Sequence, residues 1–258
     1  MNPLKPTIIQ TALIWEDQTR NLKMFDELLA NIDLPTDFIV LPEMFNTAFS
    51  MNRNLAETMK GETMEWMKSR AEKLNTPICG SLMIVENGAY YNRFVWVNPN
   101  GTSQYYNKRH LFRMTNEQEC FSAGNSNIII TVNGWKLFPV ICYDLRFPVW
   151  LRRTPDFEYD ALLIVANWPE KRLSHWRTLL QARAIENQCY VLAVNRIGED
   201  GNGFNYSGSS GLIDMQGEWL AEYKHTTAVA QVVLNHEPLE TWRKNFPAAI
   251  DADRFTLA

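Results

Sequence analysis

The 258-residue sequence has few of the residues that form metal centres or disulfide scaffolds. It contains four cysteines and four histidines, with no CxxC pair and no His/Cys cluster. Zinc ligation is therefore weakly supported, and the four scattered cysteines are expected to be reduced thiols. No metal or disulfide is needed for stability, because a chain of this length buries roughly 70–75% of the surface that its unfolded form exposes.

Long apolar runs and basic stripes are absent too. No window approaches the ~18 apolar residues of a membrane span, and the first apolar run ends in Glu16-Asp17, unlike a signal peptide. We therefore expect a cytoplasmic protein that does not bind membranes. The net charge is −4 and the densest basic cluster is the pair Lys108-Arg109. This charge pattern disfavours nucleic acid as a partner.

Apolar runs of strand length alternate with segments of helical period, which predicts one α/β domain over residues 1–258. Asn-Gly pairs at 87–88, 100–101 and 133–134 predict hairpin turns, so the sheets should be mixed. Many strands are apolar on both sides, as in two sheets packed face to face. The main predicted strands are Thr7–Trp15, Phe38–Leu41 and Ala161–Asn167, and the predicted helices are 19–31, Glu62–Leu74, Leu145–Arg153, Ser174–Asn187 and Leu239–Asn245.

Cys142 is the first candidate for chemistry, because it ends the apolar run Leu137–Ile141 where the pattern predicts a helix start. Such a turn exposes the side chain and directs helix-start N–H groups towards it. A helix N-terminus would also lower the pKa of the thiol. The alternative is an inert thiol in the core, the usual fate of a cysteine.

Glu43 and Lys108 occupy similar positions at the ends of other predicted strands. Glu43 lies between the apolar residues Pro42 and Met44, and burial there would make it a usable base near neutral pH. Lys108 could hold an oxyanion as a fixed positive charge. Each also has an ordinary interpretation, as a solvated loop glutamate and a surface lysine.

Other reactive side chains give weaker signals. His110 could activate a thiol, since a Cys–His pair is a common arrangement, whereas His175 near a helix start fits an exposed residue. Cys79 and Cys189 lie inside strand-like runs and are expected in the core. Cys120 follows Glu117 in a loop and could lie near a pocket without reacting.

The motifs around these residues, taken together and in order, carry a family resemblance. The segments LPEMF, NKRHLF and VICYDLRFP resemble the nitrilase superfamily of carbon–nitrogen hydrolases, and KRHLFRM, CYDLRFPVW and ANWP resemble its omega-amidase branch. The resemblance extends over nearly the whole chain. It implies a four-layer α-β-β-α sandwich and no metal or organic cofactor. It also implies a homodimer formed through the helix predicted after Cys142 (Leu145–Arg153, the elbow segment) and the long helix predicted over Ser174–Asn187.

The resemblance also implies roles for individual residues. Glu43 matches the general base, Lys108 the transition-state lysine and Cys142 the nucleophile of a Glu-Lys-Cys triad that works through a thioester. Glu117 matches the second glutamate of the family, with Glu119 as the alternative if the loop alignment slips. Lys108 and the backbone N–H of Tyr143 would stabilise the oxyanion.

The implied substrate is a short dicarboxylic monoamide such as 2-oxoglutaramate or 2-oxosuccinamate. Its free carboxylate needs a cation or backbone donors, and Arg113 and Arg146 are the candidates. Arg146 could equally be a structural ion-pair residue. Phe45, Tyr143 and Trp168 flank the motifs and could form apolar walls, although aromatic residues in such runs are more often core.

Three alternatives remain open at the level of sequence. An amidase of the same fold could act on deaminated glutathione or on an N-carbamoyl compound. A metal-dependent phosphoesterase can also use a four-layer sandwich, with ligands such as Asp144, Asn167 and Asn195, but the sequence has no paired Asp-x-Asn or His-Asp set. A non-catalytic binding protein on this fold is the third alternative.

Overall fold

The computed structural model describes residues 1–32, 35–253 and 255, and within them two mixed β-sheets with helices outside. The strands are β1 (Thr7–Gln10), β2 (Ile39–Val40), β3 (Ile78–Glu86), β4 (Ala89–Val97), β5 (Ser103–Asn107), β6 (Ile130–Val132), β7 (Trp135–Ile141), β8 (Ala161–Ala166), β9 (Tyr190–Asn195), β10 (Ile197–Glu199), β11 (Asn205–Ile213), β12 (Trp219–Lys224) and β13 (Ala228–Gln231).

Within the described residues, five α-helices and several short 3-10 helices accompany these strands. The α-helices are α1 (Gln18–Leu29), α2 (Glu62–Leu74), α3 (Glu117–Cys120), α4 (Leu173–Asn187) and α5 (His236–Asn245). The 3-10 helices are Arg53–Leu55, Arg113–Thr115, Cys142–Arg146, Glu170–Arg172 and Ala248–Asp251. None of the helices in the described ranges combines the length and the apolar character needed to cross a membrane.

The first sheet has the strand order β13-β1-β2-β3-β4-β5. Strands β1, β2 and β3 are parallel, and β4 and β5 follow as an antiparallel meander. Strand β5 therefore runs in the same direction as β2. Segments that leave the carboxyl ends of these two strands emerge at one edge of the sheet, which brings Glu43 and Lys108 to the same side of the molecule.

The second sheet has the strand order β10-β11-β9-β8-β7-β6, with β12 paired to β11. Its centre is the parallel set β7, β8 and β9. Every residue of β8 is buried, as expected for a strand covered on both faces. The carboxyl ends of β7 and β8 lead to Cys142 and Asn167, which therefore lie side by side.

The two sheets pack face to face, which confirms the predicted four-layer α-β-β-α sandwich. One continuous core contains Val40 and Phe94 of the first sheet together with Val140 and Ile164 of the second. Helices α1 and α2 cover the outer face of the first sheet through a separate apolar cluster. Helix α4 covers the outer face of the second sheet, where the Trp176 indole donates to the carbonyl of β11 residue Ser209.

Several predicted boundaries are wrong, and one error concerns the candidate site. The α-helix predicted over Leu145–Arg153 is absent: a 3-10 helix spans Cys142–Arg146 and turns follow. Pro148 explains this, because proline lacks an N–H donor and disfavours the helical conformation of the residue before it. The first strand ends at Gln10 instead of Trp15, and strand β12 was not predicted. Helix α2 has the predicted bounds.

Candidate active site

A buried cluster of charges occupies the edge of the first sheet. Glu43 follows β2, Lys108 follows β5 and Glu117 opens α3, and all three side chains are fully buried. The Lys108 ammonium lies 2.9 Å from Glu43 Oε1 and 3.0 Å from each Glu117 oxygen. Because an ammonium has three donors, these contacts engage the whole lysine head group. The structure thus places both carboxylates around a single cation.

The electrostatics of this cluster keep Lys108 charged. Burial alone lowers the pKa of Lys108, but the carboxylates of Glu117 and Glu43 outweigh it and raise that pKa above its ordinary value. Burial raises the pKa of Glu117, the Lys108 charge lowers it and Glu43 raises it, with a net increase. The two carboxylates therefore share one ammonium.

Cys142 lies at the tip of the second sheet, directly after β7. Its backbone has φ 44°, a left-handed conformation that costs a non-glycine residue about 1–2 kcal/mol. The Sγ atom lies 3.9 Å from the carbonyl oxygen of Asn167. The thiol belongs to the same cavity as Tyr143 and Trp168.

The pKa of the Cys142 thiol is raised well above its ordinary value, so the predicted lowering is wrong. Burial is the main cause, and the negative charge of Glu43 adds to it, while Lys108 acts in the opposite direction. The helix that was expected to lower the pKa is replaced by one short 3-10 turn. The resting group is therefore a thiol, which needs a base to become a nucleophile.

Asn167 links the thiol to the charged cluster across the two sheets. It follows β8, and its backbone N–H donates to Glu43 Oε2 at 2.7 Å. Its side-chain amide donates to the Glu43 carbonyl at 2.6 Å. Since the Asn167 carbonyl also faces the Cys142 sulfur, this residue brings the carboxylate of one sheet to the thiol of the other.

Asp144 makes a second link between the sheets. Its buried carboxylate accepts from the N–H of Ile141 at 3.1 Å, from the N–H of His110 at 2.9 Å and from the Tyr106 hydroxyl at 2.8 Å. The turn after β7 is thereby tied to the segment that follows Lys108. Asp144 therefore has a structural role.

His110 is not placed to activate the thiol. Its Nδ1 lies 2.8 Å from Asp144 Oδ1, and its ring stacks on Phe147 with centroids 3.7 Å apart. It lies in a separate small pocket with Trp150 and does not line the cavity that contains Cys142. The role proposed for His110 as a base is therefore wrong.

The cavity beside Cys142 has a volume of about 480 Å³. Seven aromatic residues line it: Trp15, Phe49, Phe112, Tyr143, Trp168, Phe204 and Tyr206. Two cations, Arg146 and Arg172, also line it. The Arg146 guanidinium lies over Trp168, and the Arg172 guanidinium lies over Phe112.

Two predicted wall or carboxylate-binding residues lie elsewhere. Phe45 is fully buried against Phe25 and Trp66, because its backbone turns the ring into the core beneath the first sheet. Arg113 is exposed and does not line the cavity, although its neighbour Phe112 does. The prediction of Phe45 as a cavity wall and the prediction of Arg113 as a carboxylate-binding residue are therefore wrong.

The loop after Lys108 shows which glutamate joins the charged cluster and where Cys120 lies. Glu119 is exposed, whereas Glu117 contacts Lys108, so the glutamate in the cluster is Glu117. Cys120 packs in a small apolar cluster and does not line the cavity. All four cysteines are free thiols, as predicted, and Cys79 and Cys189 are buried.

Sequence reasoning gave no amidase role to several residues that contact or line this site, among them Asn92, Asn167 and Arg172. Asn92 lies on β4 and contacts both buried glutamates. A polar residue inside the apolar run of β4 is the available signal, since asparagine is rare in strands. Asn167 ends a strand as Cys142 does and could be found by the same rule. Arg172 lies in a 3-10 turn and gave no signal.

The fold and the site together define a hydrolase with a thiol beside a buried Glu-Lys-Glu cluster, and comparisons with known proteins support this class. The carbon-nitrogen hydrolase family model matches residues 7–244. The chain therefore belongs to the carbon–nitrogen hydrolase family, whose members are enzymes that hydrolyse carbon–nitrogen bonds. This assignment excludes the phosphoesterase alternative, whose proposed ligand Asp144 is already committed to structural hydrogen bonds.

Individual relatives are similar over almost the whole chain. "Omega-amidase YafV" of Escherichia coli strain K12 is 44% identical over 258 residues and all of both chains. The "2-oxoglutaramate amidase" of Bacillus subtilis is 31% identical and covers 94% of this chain and 95% of its own. These matches confirm the resemblance to the omega-amidase branch of the nitrilase superfamily.

A solved structure supports the fold. The CN-hydrolase superfamily protein from Xanthomonas campestris, determined with an arsenic adduct in its active site, superposes with a TM-score of 0.97. It is 39% identical, and the match covers 100% of both chains. The whole described sandwich therefore has a counterpart of known structure.

Proposed function

We propose that this chain is a single-domain omega-amidase, which hydrolyses the terminal carboxamide of a short 2-oxo dicarboxylic monoamide to the acid and ammonia. The observation that carries the proposal is that Cys142 lines a cavity, while Asn167 links its sulfur to Glu43, which is paired with Lys108. The names of the relatives support the substrate class. The proposed substrates are 2-oxoglutaramate and 2-oxosuccinamate.

Glu43 acts as the general base in the proposed reaction. It takes the proton of the Cys142 thiol, which the raised pKa keeps protonated at rest. The sulfur then attacks the carboxamide carbon, and the amide oxygen becomes an oxyanion. Protonated Glu43 gives the proton to the leaving ammonia, and a thioester remains on Cys142.

Hydrolysis of the thioester uses the same groups. Glu43 removes a proton from a water molecule, which attacks the thioester carbon, and the proton returns to the sulfur as the acid leaves. Lys108 stabilises the oxyanion of both steps with a fixed positive charge, joined by the backbone N–H of Tyr143. Glu117 keeps Lys108 charged and oriented, because a carboxylate at 3.0 Å favours the ammonium.

The cavity wall carries two guanidinium groups that can bind a substrate carboxylate. Its two acids are satisfied by the protein: Glu16 accepts from the Ser50 hydroxyl, and Asp200 accepts from the Tyr206 hydroxyl. The Arg172 guanidinium makes no hydrogen bond or ion pair within the described ranges, and its donors are available to a carboxylate. Arg146, which lies 3.1 Å from His175 Nδ1, is the second cation.

The proposal includes a cytoplasmic homodimer. The elbow segment and α4, which the resemblance places at the dimer interface, expose Val149 and Ile185 at 51% and 53%. Exposed apolar side chains of this kind fit a protein interface. Free thiols agree with a reducing compartment. Light scattering coupled to size-exclusion chromatography should give twice the monomer mass of 29.9 kDa, and a monomer would contradict the dimer.

Ammonia release tests the function. The wild type should release ammonia from 2-oxoglutaramate with a higher kcat/KM than from deaminated glutathione or an N-carbamoyl amino acid. Cys142→Ala should abolish the reaction while the protein stays folded, whereas Cys189→Ala, which changes a buried thiol outside the cavity, should keep it. Activity that survives Cys142→Ala, or a preference for one of the other substrates, would contradict the proposal.

A further inference from the structure

The side chain of Asn92 contacts both carboxylates of the charged cluster and has no role in the mechanism above. It is fully buried on β4. Its Nδ2 donates to Glu43 Oε1 at 2.8 Å and to Glu117 Oε1 at 3.2 Å. Its backbone carbonyl accepts from the N–H of Lys108 at 2.9 Å. One residue therefore contacts all three charged members of the cluster.

A chain of hydrogen bonds fixes which end of the Asn92 amide faces the glutamates. The N–H of Met44 donates to Ser81 Oγ at 2.9 Å, and the Ser81 hydroxyl donates to Asn92 Oδ1 at 2.9 Å. Ionised carboxylates can only accept, so the amide nitrogen must face Glu43 and Glu117, and both of its protons are used. The amide oxygen is left to face Ser81, whose hydroxyl donates to it.

This arrangement distinguishes the two oxygens of Glu43. Oε1 accepts from Lys108 and Asn92, which occupies both of its acceptor positions. Oε2 accepts from the Asn167 backbone N–H at 2.7 Å and, over a long 3.4 Å contact, from the Asn167 side-chain amide; the Asn167 carbonyl lies beside the Cys142 sulfur. Because the 3.4 Å contact is weak, Oε2 is the Glu43 oxygen that can take up a proton from the thiol side.

We infer that Asn92 is a positioning residue that holds Glu43 and Glu117 as hydrogen-bond acceptors and directs the thiol proton of Cys142 to Glu43 Oε2. The inference deepens the proposed function and rests on it. The titratable and charged groups that face Glu43 are Lys108, Glu117 and Cys142, and Asn92 is the neutral donor that the two carboxylates share.

Asn92→Ala tests the inference through the pH dependence of the reaction. Loss of donors to an ionised carboxylate disfavours its charged form, so Glu43 should require a higher pH to act as a base. The acid limb of kcat/KM for 2-oxoglutaramate should move up by about one pH unit, and kcat should fall about 10–100-fold with little change in KM.

A matched variant separates this effect from the loss of a buried amide in general. Asn187 on α4 is also buried, donates to the Arg183 carbonyl at 3.0 Å and accepts from the N–H of Arg153 at 2.8 Å. Asn187→Ala should lower stability without moving the pH limb. Ser81→Ala, which frees the amide of Asn92 to turn, should move the limb in the same direction by less, and it provides the test if Asn92→Ala does not fold.

A second readout does not depend on turnover. Alkylation of Cys142 by iodoacetamide, followed by mass spectrometry across pH, also requires transfer of the thiol proton to Glu43, and its acid limb should shift in Asn92→Ala as well. Unmoved limbs in both Asn92→Ala and Ser81→Ala would overturn the inference. A wild type that does not hydrolyse 2-oxoglutaramate would contradict the proposed function alone, because the alkylation profile would still decide the role of Asn92.

Discussion

The two sheets contribute different chemistry to the same cavity. The first sheet provides the charges, Glu43 and Lys108, together with the Asn92 amide that contacts them. The second sheet provides the neutral groups, the Cys142 thiol and the Asn167 backbone. The ion pairs of these charges lie within the first sheet and its loop, whereas the thiol of the second sheet has no base of its own.

This difference shows what the packing of the sheets contributes. Each half is inert alone, since a thiol with a raised pKa is a poor nucleophile and a salt-bridged glutamate has nothing to activate. The shared apolar core holds the halves together. Hydrogen bonds from Asn167 to Glu43 and from His110 to Asp144 then fix the strand ends relative to one another.

Removal of the cation from the first sheet should have the largest of three expected effects. Lys108→Ala should lower kcat by about 10²–10³-fold with a much smaller change in KM, because the oxyanion forms only during the reaction. The variant should also be less stable, since two buried carboxylates lose their shared partner. Steady-state kinetics on protein shown to be folded by circular dichroism provides the measurement.

The control for this variant is an exposed lysine. Lys136 lies 3.9 Å from Glu158, and both side chains are about half exposed. Lys136→Ala should change neither kcat nor stability appreciably, because exposed ion pairs contribute about 0–1 kcal/mol. A rise in KM alone for Lys108→Ala would contradict the role of Lys108 in oxyanion stabilisation.

Removal of the Arg172 charge from the cavity wall should weaken substrate binding and leave the turnover rate almost unchanged. Arg172→Ala should raise the KM for 2-oxoglutaramate about tenfold or more, because a charge-assisted hydrogen bond to the substrate carboxylate is lost. The kcat should stay within a few-fold. Initial rates over a range of substrate concentrations provide both constants.

Arg113→Ala is the matched control, since Arg113 is exposed outside the cavity. Its KM should equal that of the wild type. A neutral primary amide should bind the wild type and Arg172→Ala equally well. Equal KM values for the two arginine variants with 2-oxoglutaramate would argue against Arg172 as the carboxylate site.

Relief of backbone strain at Cys142, at the tip of the second sheet, should produce the smallest of the three effects, a change in stability. Cys142 adopts a left-handed conformation that glycine tolerates and alanine does not. Cys142→Gly should therefore have a free energy of unfolding about 1 kcal/mol greater than Cys142→Ala, measured by urea denaturation. At Cys189, whose φ is not positive, glycine should be the less stable of the same pair. The same order at both positions would show that the turn is not strained.

Much of the fold and of the charged cluster can be predicted from the sequence, because both depend on where strands end. Hydrophobic periodicity gives α2 with the bounds it has in the structure, and Glu43, Lys108 and Cys142 each follow a predicted strand. Parallel strands bring such positions to one edge of a sheet. The prediction from strand ends succeeds because all three residues lie just after the carboxyl ends of strands.

Features that depend on contacts between elements could not be predicted. The direction of the Cys142 pKa shift was wrong because it depends on burial and on Glu43, a residue of the other sheet. The rings of Phe45 and Trp168 both follow apolar runs, yet one enters the core and the other lines the cavity. The partners of Asn92 come from two separate segments, and no local pattern contains them.

Mass spectrometry of the protein after brief exposure to 2-oxoglutaramate and rapid acid quench tests the central claim most directly. The account predicts an acyl adduct on the peptide that contains Cys142, which hydroxylamine removes and which is absent from Cys142→Ala. Turnover of the amide without an adduct on Cys142, or with an adduct on Cys79, Cys120 or Cys189, would contradict it.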